Sequence, residues 1–245
     1  TVTVTVTPDA GYQLDKLTVT DVKGKTVDVT KKSDGKYTFT MPDSKVTITP
    51  TFSKIEDTKP SKNGFDDVAS SDWFADAVKY VADKGMMNGT SKTTFGPNDS
   101  TTRGMIVTVL YRLENEPSAA AASFTDVVSG QYYTDAVAWA NANGIVTGYG
   151  NGKFGPNDVV TREQLAAILY RYAQHKKYDV SVGEDTNILS YADAQSVSAY
   201  AIPAMQWAGG AGIVNSSNGK LNPQNNATRA EVATMLMRYC EKVAK

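Results

Sequence analysis

The chain has 245 residues, with 25 lysines and arginines against 26 aspartates and glutamates, a formal net charge of −1 and a sequence pI near 5.9. This balance gives no basic excess for nucleic acid and no polyionic tail; a 41% hydrophobic share with mean hydropathy −0.34 is that of a soluble globular chain, and no apolar run approaches the ~20 residues of a membrane span. One cysteine, Cys240, and one histidine, His175, exclude a disulfide framework, a Cys/His zinc site and most histidine-dependent catalysis.

The length allows one large or two to three small domains. The chain opens Thr1-Val2-Thr3-Val4 with neither an initiator Met nor a signal peptide. The expectation is a piece of a larger secreted chain whose leader lies outside it. Residues 1–54 read as short strands. Val2, Val4 and Val6 alternate with Thr, Leu17 and Val19 continue the period, Tyr37, Phe39 and Met41 repeat it, and Val46 and Ile48 follow. Lys23-Gly24 and Asp34-Gly35 are turn signals between these runs. Four to six strands predict a small all-β sandwich or β-grasp-like module. The stretch resembles small β repeats of Gram-positive surface proteins, which implies a spacer. Residues 55–64, polar with one Pro and one Gly, read as a linker.

The remaining chain repeats. Phe65-Asp66-Asp67-Val68 matches Phe124-Thr125-Asp126-Val127 and, more loosely, Tyr191-Ala192-Asp193-Ala194. Phe95-Gly96-Pro97-Asn98 matches Phe154-Gly155-Pro156-Asn157 and Leu221-Asn222-Pro223-Gln224. Thr102-Arg103 recurs 59 residues later as Thr161-Arg162, and 67 after that as Thr228-Arg229. Three units follow, over 65–117, 124–178 and 188–243. Each reads as helix, loop, helix. Phe74, Ala77, Val78 and Val81, then Tyr133, Ala136, Val137 and Ala140, fall at helical spacing, and Gly85 and Gly144 stand where a left-handed C-cap would end those helices. In the second helices Ile106, Val109, Leu110 and Leu113 recur as Leu165, Ile168, Leu169 and Tyr172, and as Val232, Met235, Leu236 and Tyr239. One apolar face repeated three times predicts units packed around a shared core. Pro203 and Gly209-Gly210 predict a late or kinked, shortened first helix in unit three. Trp139 and Trp207, in the register of Tyr80, are assigned to the core.

Of the 25 cationic residues only six are arginines, and all fall in two registers of the repeat. Arg112, Arg171 and Arg238 come nine residues after Arg103, Arg162 and Arg229, on the opposite side of a helix turning about 100° per residue. The later set, near the helix C-terminus, reads as structural. In the earlier set, Thr161 to Gln164 and Thr228 to Glu231 form capping boxes, placing each arginine in a first helical turn. Two readings stand level: a carboxylate site made of guanidinium and helix N–H groups, or arginines bonded to a loop carbonyl or an Asp of a neighbouring unit.

The landmarks F-x-D-V, G-I/M, G-x-F-x-P-N and T-R-x-E, three times in tandem over residues 65 to about 243, resemble the S-layer homology (SLH) domain. The resemblance implies an all-α pseudo-threefold assembly with a central bundle of first helices and three grooves between units. It also implies binding of secondary cell wall polymer, a pyruvylated N-acetylmannosamine glycan of Gram-positive walls, with Arg103, Arg162 and Arg229 as carboxylate ligands beside Thr102, Thr161 and Thr228. The loops carrying Gly89 and Thr90, Gly148 and Tyr149, and Ser216 and Ser217 would form the other walls. Trp73, Tyr132 and, more loosely, Tyr200 share a register, suited either to stacking on sugars or to packing between units. Unit one departs from the pattern at Gly104-Met105, which loses the capping box, and unit three at Leu221-Asn222.

Catalysis has little support: His175 sits in a polar stretch without a partner, and the recurring Asp67, Asp126 and Asp193 look like capping residues. Asn151, Asn157 and Asp158 make an oxygen-rich loop without EF-hand spacing. No catalytic residue, metal or cofactor is expected. The expected role is extracellular anchoring at the cell wall or S-layer, as a monomer, with neighbouring S-layer proteins as further partners and no contact with nucleic acid or a membrane span. The rivals are an accessory carbohydrate-binding part of a wall- or polysaccharide-active enzyme and a self-assembling S-layer module.

Overall fold

The computed structural model describes residues 1–7, 12–33, 35–54 and 64–244. It divides into two compact units, Thr1–Thr58 and Lys59–Lys245. Asp34 of the second expected turn and all of the expected linker but Gly64 lie outside the described residues.

The first unit holds β1 (Val2–Thr5), β2 (Tyr12–Asp21), β3 (Thr26–Val27), β4 (Val29–Ser33), β5 (Lys36–Phe39) and β6 (Val46–Lys54). All pairings are antiparallel, in two three-stranded sheets ordered β1-β5-β4 and β3-β2-β6. The period of two turns alternate side chains inward, and each sheet buries one of them fully, Phe39 and Val19 respectively. Asp21 closes the Lys23-Gly24 turn: its Oδ1 accepts the N–H groups of Lys23 and Lys25 at 2.8 and 2.9 Å, and Gly24 takes φ +79°. No helix lies among the described residues of this unit.

The second unit holds α1 (Ala75–Asp83), α2 (Arg103–Leu113), α3 (Thr134–Ala142), α4 (Arg162–His175), α5 (Ile202–Gly210) and α6 (Arg229–Lys242). The repeated apolar stripes are buried: Ile106 and Leu110, Leu165 and Leu169, and Val232 and Leu236 share one core with Val78, Val137 and Trp207. Helix α5 has nine residues, as α1 and α3 do. Pro203 neither delays nor kinks it, because it occupies the first turn, where no intrahelical N–H bond is needed. Gly209 and Gly210 continue the helix instead of shortening it.

The closest helix packing runs between units, while rings such as Trp139 and Tyr172, or Trp207 and Tyr239, also meet within one. Helix α3 packs on α2, α5 on α4, and α1 on α6, so each first helix leans on the second helix of the preceding unit and the third unit closes back on the first. Each first helix thus has its closest helix contact with a second helix of another unit, not with the other first helices. The expectation of an all-α assembly also fails. The segment before each Thr-Arg corner is extended, and antiparallel bridges join Ser100 to Thr228, Thr102 to Val159 and Thr161 to Asn226. Within this junction the N–H of Thr101 donates to Ala227 O (3.2 Å), that of Ala227 to Val160 O (2.9 Å), and that of Val160 to Thr101 O (2.9 Å). The three bonds form a closed triangle, one edge per pair of units. Its partners lie 59 or more residues apart, beyond the reach of any local periodicity.

All three triangle residues are buried, and only Thr101 carries a polar side chain; its hydroxyl has no hydrogen-bond partner among the described residues. Thr101→Val keeps the shape and removes that unpaired group, so it is expected to stabilise the protein by about 1 kcal/mol. For a unit of this size that raises the thermal midpoint by about 2–4 °C. A lower midpoint in thermal unfolding would show that the hydroxyl contributes to the junction.

Candidate functional site

Each unit carries a loop pinned from two sides. The carboxylate of Asp67 accepts the N–H groups of Phe95 and Gly96, both at 2.7 Å. Asp126 does the same for Phe154 and Gly155, both at 2.8 Å, and Asp193 for Leu221 and Asn222 at 2.8 and 2.7 Å. Gly96, Gly155 and Asn222 have φ of +70°, +73° and +52°. Asn is among the few side chains that tolerate this region, which accounts for the Leu-Asn-Pro of unit three.

On the carbonyl side the pin is an arginine from another unit. Arg103 Nε donates to Phe154 O at 2.9 Å, Arg162 Nε to Leu221 O at 3.0 Å, and Arg229 Nε to Phe95 O at 2.8 Å. Their Nη2 atoms reach the carbonyls of Thr147, Asn215 and Asn88. All three side chains are buried, and burial pushes Arg103 and Arg229 below the usual arginine value, partly offset by nearby acids. Helix N–H groups are not left over for a ligand. Those of Arg103, Arg162 and Arg229 donate to Asp158, Asn225 and Asp99 carbonyls, the next to Pro156, Pro223 and Pro97 carbonyls, and the third to the Thr102, Thr161 and Thr228 hydroxyls. Arg103 and Arg229 keep an Nη1 edge without a partner among the described residues, whereas Arg162 Nη1 donates to Glu231 Oε1 at 2.7 Å. Gly104, which breaks the capping pattern, is a packing requirement: a Cβ there would lie 2.8 Å from Pro156 O and 3.2 Å from the Tyr133 ring.

Three grooves open along these seams, and each takes walls from all three units. The first, about 300 Å³, is lined by Arg103, by the Thr147–Tyr149 loop, by Gln164 and Arg171 of α4, and by Tyr200. The second, about 480 Å³, has Arg162, the Asn215–Ser217 loop, Glu231 and Arg238 of α6, and Trp73. The third, about 160 Å³, has Arg229, Asn88, Met105 and Arg112 of α2, and Tyr132. The aromatic residue in each is half exposed or more, at 52%, 67% and 55% for Tyr200, Trp73 and Tyr132. Exposed ring, guanidinium pair and loop polar groups together suit an acidic sugar.

The description "S-layer homology domain" matches residues 64–104, 123–166 and 190–233. The chain belongs to the S-layer homology family. Residues 1–56 match the divergent InlB B-repeat domain. As an SLH protein the chain belongs to the cell surface, in association with the cell wall, and its family role is wall anchoring. Its similarity extends to an endoglucanase of Bacillus sp. (strain KSM-635), 34% identical over 74% of this chain and 19% of that protein. An amylopullulanase of Thermoanaerobacterium thermosulfurigenes is 32% identical over 73% of this chain and 10% of that protein. The S-layer protein sap of Bacillus anthracis is 35% identical over 43% and 13% respectively. The matched stretch thus spans a fifth or less of these curated relatives.

Against the sequence reading of the SLH site, the grooves bring together Arg103 with Gly148 and Tyr149, Arg162 with Ser216, Ser217 and Trp73, and Arg229 with Tyr132. Thr102, Thr161 and Thr228 line none of these grooves and spend their hydroxyls on helix caps. Gly89 and Thr90 also lie off the groove walls. Gly89 and Gly148 are demanded by packing, since a Cβ on either would meet a backbone oxygen at 2.5 Å and a phenylalanine ring at 2.6 Å. The oxygen-rich loop of unit two is internally satisfied: Asn151 Oδ1 accepts Lys153 N–H, and Asp158 Oδ2 accepts the Tyr149 hydroxyl. The sequence reading assigns the second arginine register a structural role, and Arg238 Nη1 does donate to Ile213 O at 3.3 Å. Arg171, Arg238 and Arg112 each face the first-register arginine of a different unit, and the nine-residue spacing was the signal available.

The aspartate pins carry a pH signature. Partial burial alone would raise the carboxyls of Asp126 and Asp193, but the paired backbone N–H donors outweigh it and hold both below the usual aspartate value of 3.8. A depressed carboxyl stabilises the fold fully above its unfolded value and loses that contribution as pH falls through the folded one. Urea midpoints followed from about pH 6 to about pH 2 should therefore fall below about pH 4. The Asp126→Asn, Asp193→Asn double variant should show a shallower fall, and parallel profiles would remove these two carboxyls from the account.

Proposed function

We propose that this chain holds a larger surface protein to the cell wall, without catalysing a reaction, by binding pyruvylated secondary cell wall polymer in the grooves between units. In this reading residues 1–54 are a spacer, 55–64 a linker, and 65–117, 124–178 and 188–243 the anchoring units. The observation that carries it is the convergence in every groove of two guanidiniums from different units with an exposed aromatic ring from a third. A ketal carboxylate is a planar acceptor suited to a guanidinium edge, and the pyranose face is suited to a ring. The similarity to an endoglucanase and an amylopullulanase favours a second reading for the cargo: a polysaccharide-active enzyme that the module tethers.

Truncating a first-register arginine confounds binding with folding. Arg103→Ala strands the Phe154 and Thr147 carbonyls, at about 1–3 kcal/mol each. Arg171 is only half-buried and makes no hydrogen bond among the described residues. Arg171→Ala is expected to keep the thermal midpoint and weaken binding to purified wall polymer about tenfold, as loss of one charged hydrogen bond does. Arg103→Ala should lower both. Unchanged polymer binding by both variants would refute the groove as the site.

A further inference from the structure

The three grooves differ at the third residue of helix two. We propose that this residue selects which groove accepts a carboxylate: Gln164 leaves the Arg103 groove open to an anionic ketal sugar, whereas Glu231 fills the Arg162 groove with the protein's own carboxylate. The inference rests on the grooves being the glycan sites.

The geometry begins with the helix caps. Glu231 Oε2 accepts the Thr228 N–H at 3.0 Å, which turns Oε1 toward the seam, where it meets Arg162 Nη1 at 2.7 Å. With Nε on Leu221 O and Nη2 on Asn215 O, every nitrogen of that guanidinium has a partner. A ligand carboxylate must compete with the Glu231 carboxylate for the Nη1 edge and meets its negative charge there. The pair is tightly packed, with side chains 10% and 25% exposed, so solvent does little to loosen it.

Gln164 makes the same cap, its Oε1 accepting the Thr161 N–H at 3.0 Å. Its oxygen is thereby committed, and the group left over is the amide nitrogen instead of the second carboxylate oxygen of Glu231. That nitrogen is a donor. Arg103 Nη1 has no partner among the described residues, and Gln164 and Arg171 line the same groove without supplying a charged acceptor. The guanidinium carbon of Arg103 also lies over two rings, 4.8 Å from the Tyr149 centroid and 4.6 Å from that of Phe154. Its charge is lowered in favour mainly by burial, with Tyr149 and Asp158 opposing and Arg171 adding to the effect. An acceptor with a negative charge relieves this convergence. In the third groove Met105 supplies no acceptor, but the space is about half that of the Arg103 groove.

The test uses the full chain and two probes, the methyl glycoside of N-acetylmannosamine with and without a 4,6-pyruvate ketal, in isothermal titration. Both substitutions preserve the cap, since amide and carboxylate serve equally at this position. The wild type is expected to bind the ketal sugar at one dominant site and the ketal-free sugar far more weakly. Gln164→Glu should weaken ketal binding about tenfold or more, the scale of one lost charged contact. Glu231→Gln should add a second site. If the ketal sugar binds and Arg171→Ala weakens it, yet neither exchange changes affinity or stoichiometry, selection by this residue is refuted while the glycan reading stands. If the wild type does not bind the ketal sugar, both fall.

Discussion

The architecture of the SLH part depends on one peptide group held from two sides. In each unit the N–H groups of the Phe-Gly or Leu-Asn pair go to an aspartate of the same unit, and the Phe or Leu carbonyl goes to an arginine of another. The carboxylate fixes the loop, and the guanidinium fixes the loop to its neighbour. Because Arg229 of the last unit reaches Phe95 of the first, three such links close a ring. The triangle of backbone bonds through Thr101, Val160 and Ala227 closes it a second time. Each seam is thus made by charged hydrogen bonds to backbone, which are stronger than neutral ones and specific in direction.

The grooves follow from this closure. A guanidinium that spends two nitrogens on carbonyls has one edge left, and that edge lies at a seam between units. The second-register arginine arrives from the next helix and the exposed aromatic from the third unit. A single unit therefore contains only part of a groove, and isolated units lack the site that the ring assembles. Glu163 shows how far the seams can specialise. Nearly fully buried, it accepts the Ser198 N–H at 2.9 Å and the Tyr200 hydroxyl at 3.2 Å, holding that ring over the first groove. Burial, then the charge of Glu163, pushes the Tyr200 hydroxyl up to about 12. Gly104 and Ala230 occupy the same register elsewhere and hold no ring in this way.

Much of this was legible in the sequence because it is local. Thr before Arg announces a helix cap, Gly85 and Gly144 announce left-handed C-caps, and an arginine at each of three Thr-Arg corners announces a repeated feature. What stayed hidden is non-local. A 3.6-residue period shows that α1 has an apolar face without showing that α6, not α2, covers it. The bridges at Ser100, Thr102 and Thr161 have no strand pattern, since each is a single pair formed across units. The second arginine register lies near a helix end, which suits a structural role, and its place on the groove walls depends on contacts between units. The difference between Gln164 and Glu231 was invisible for another reason: both satisfy the cap, and only the oxygen or nitrogen left over distinguishes their grooves.

With only six arginines in the chain, their side-chain Nε–H groups give a sparse and assignable set of NMR signals. Titrating the labelled chain with pyruvylated N-acetylmannosamine reads the grooves directly. The account predicts that the Arg103 and Arg171 signals move together and first, because one ligand touches both. If no arginine signal moves while the sugar binds, or if the perturbed residues lie only in the β unit, binding does not take place at the seams and the account is wrong.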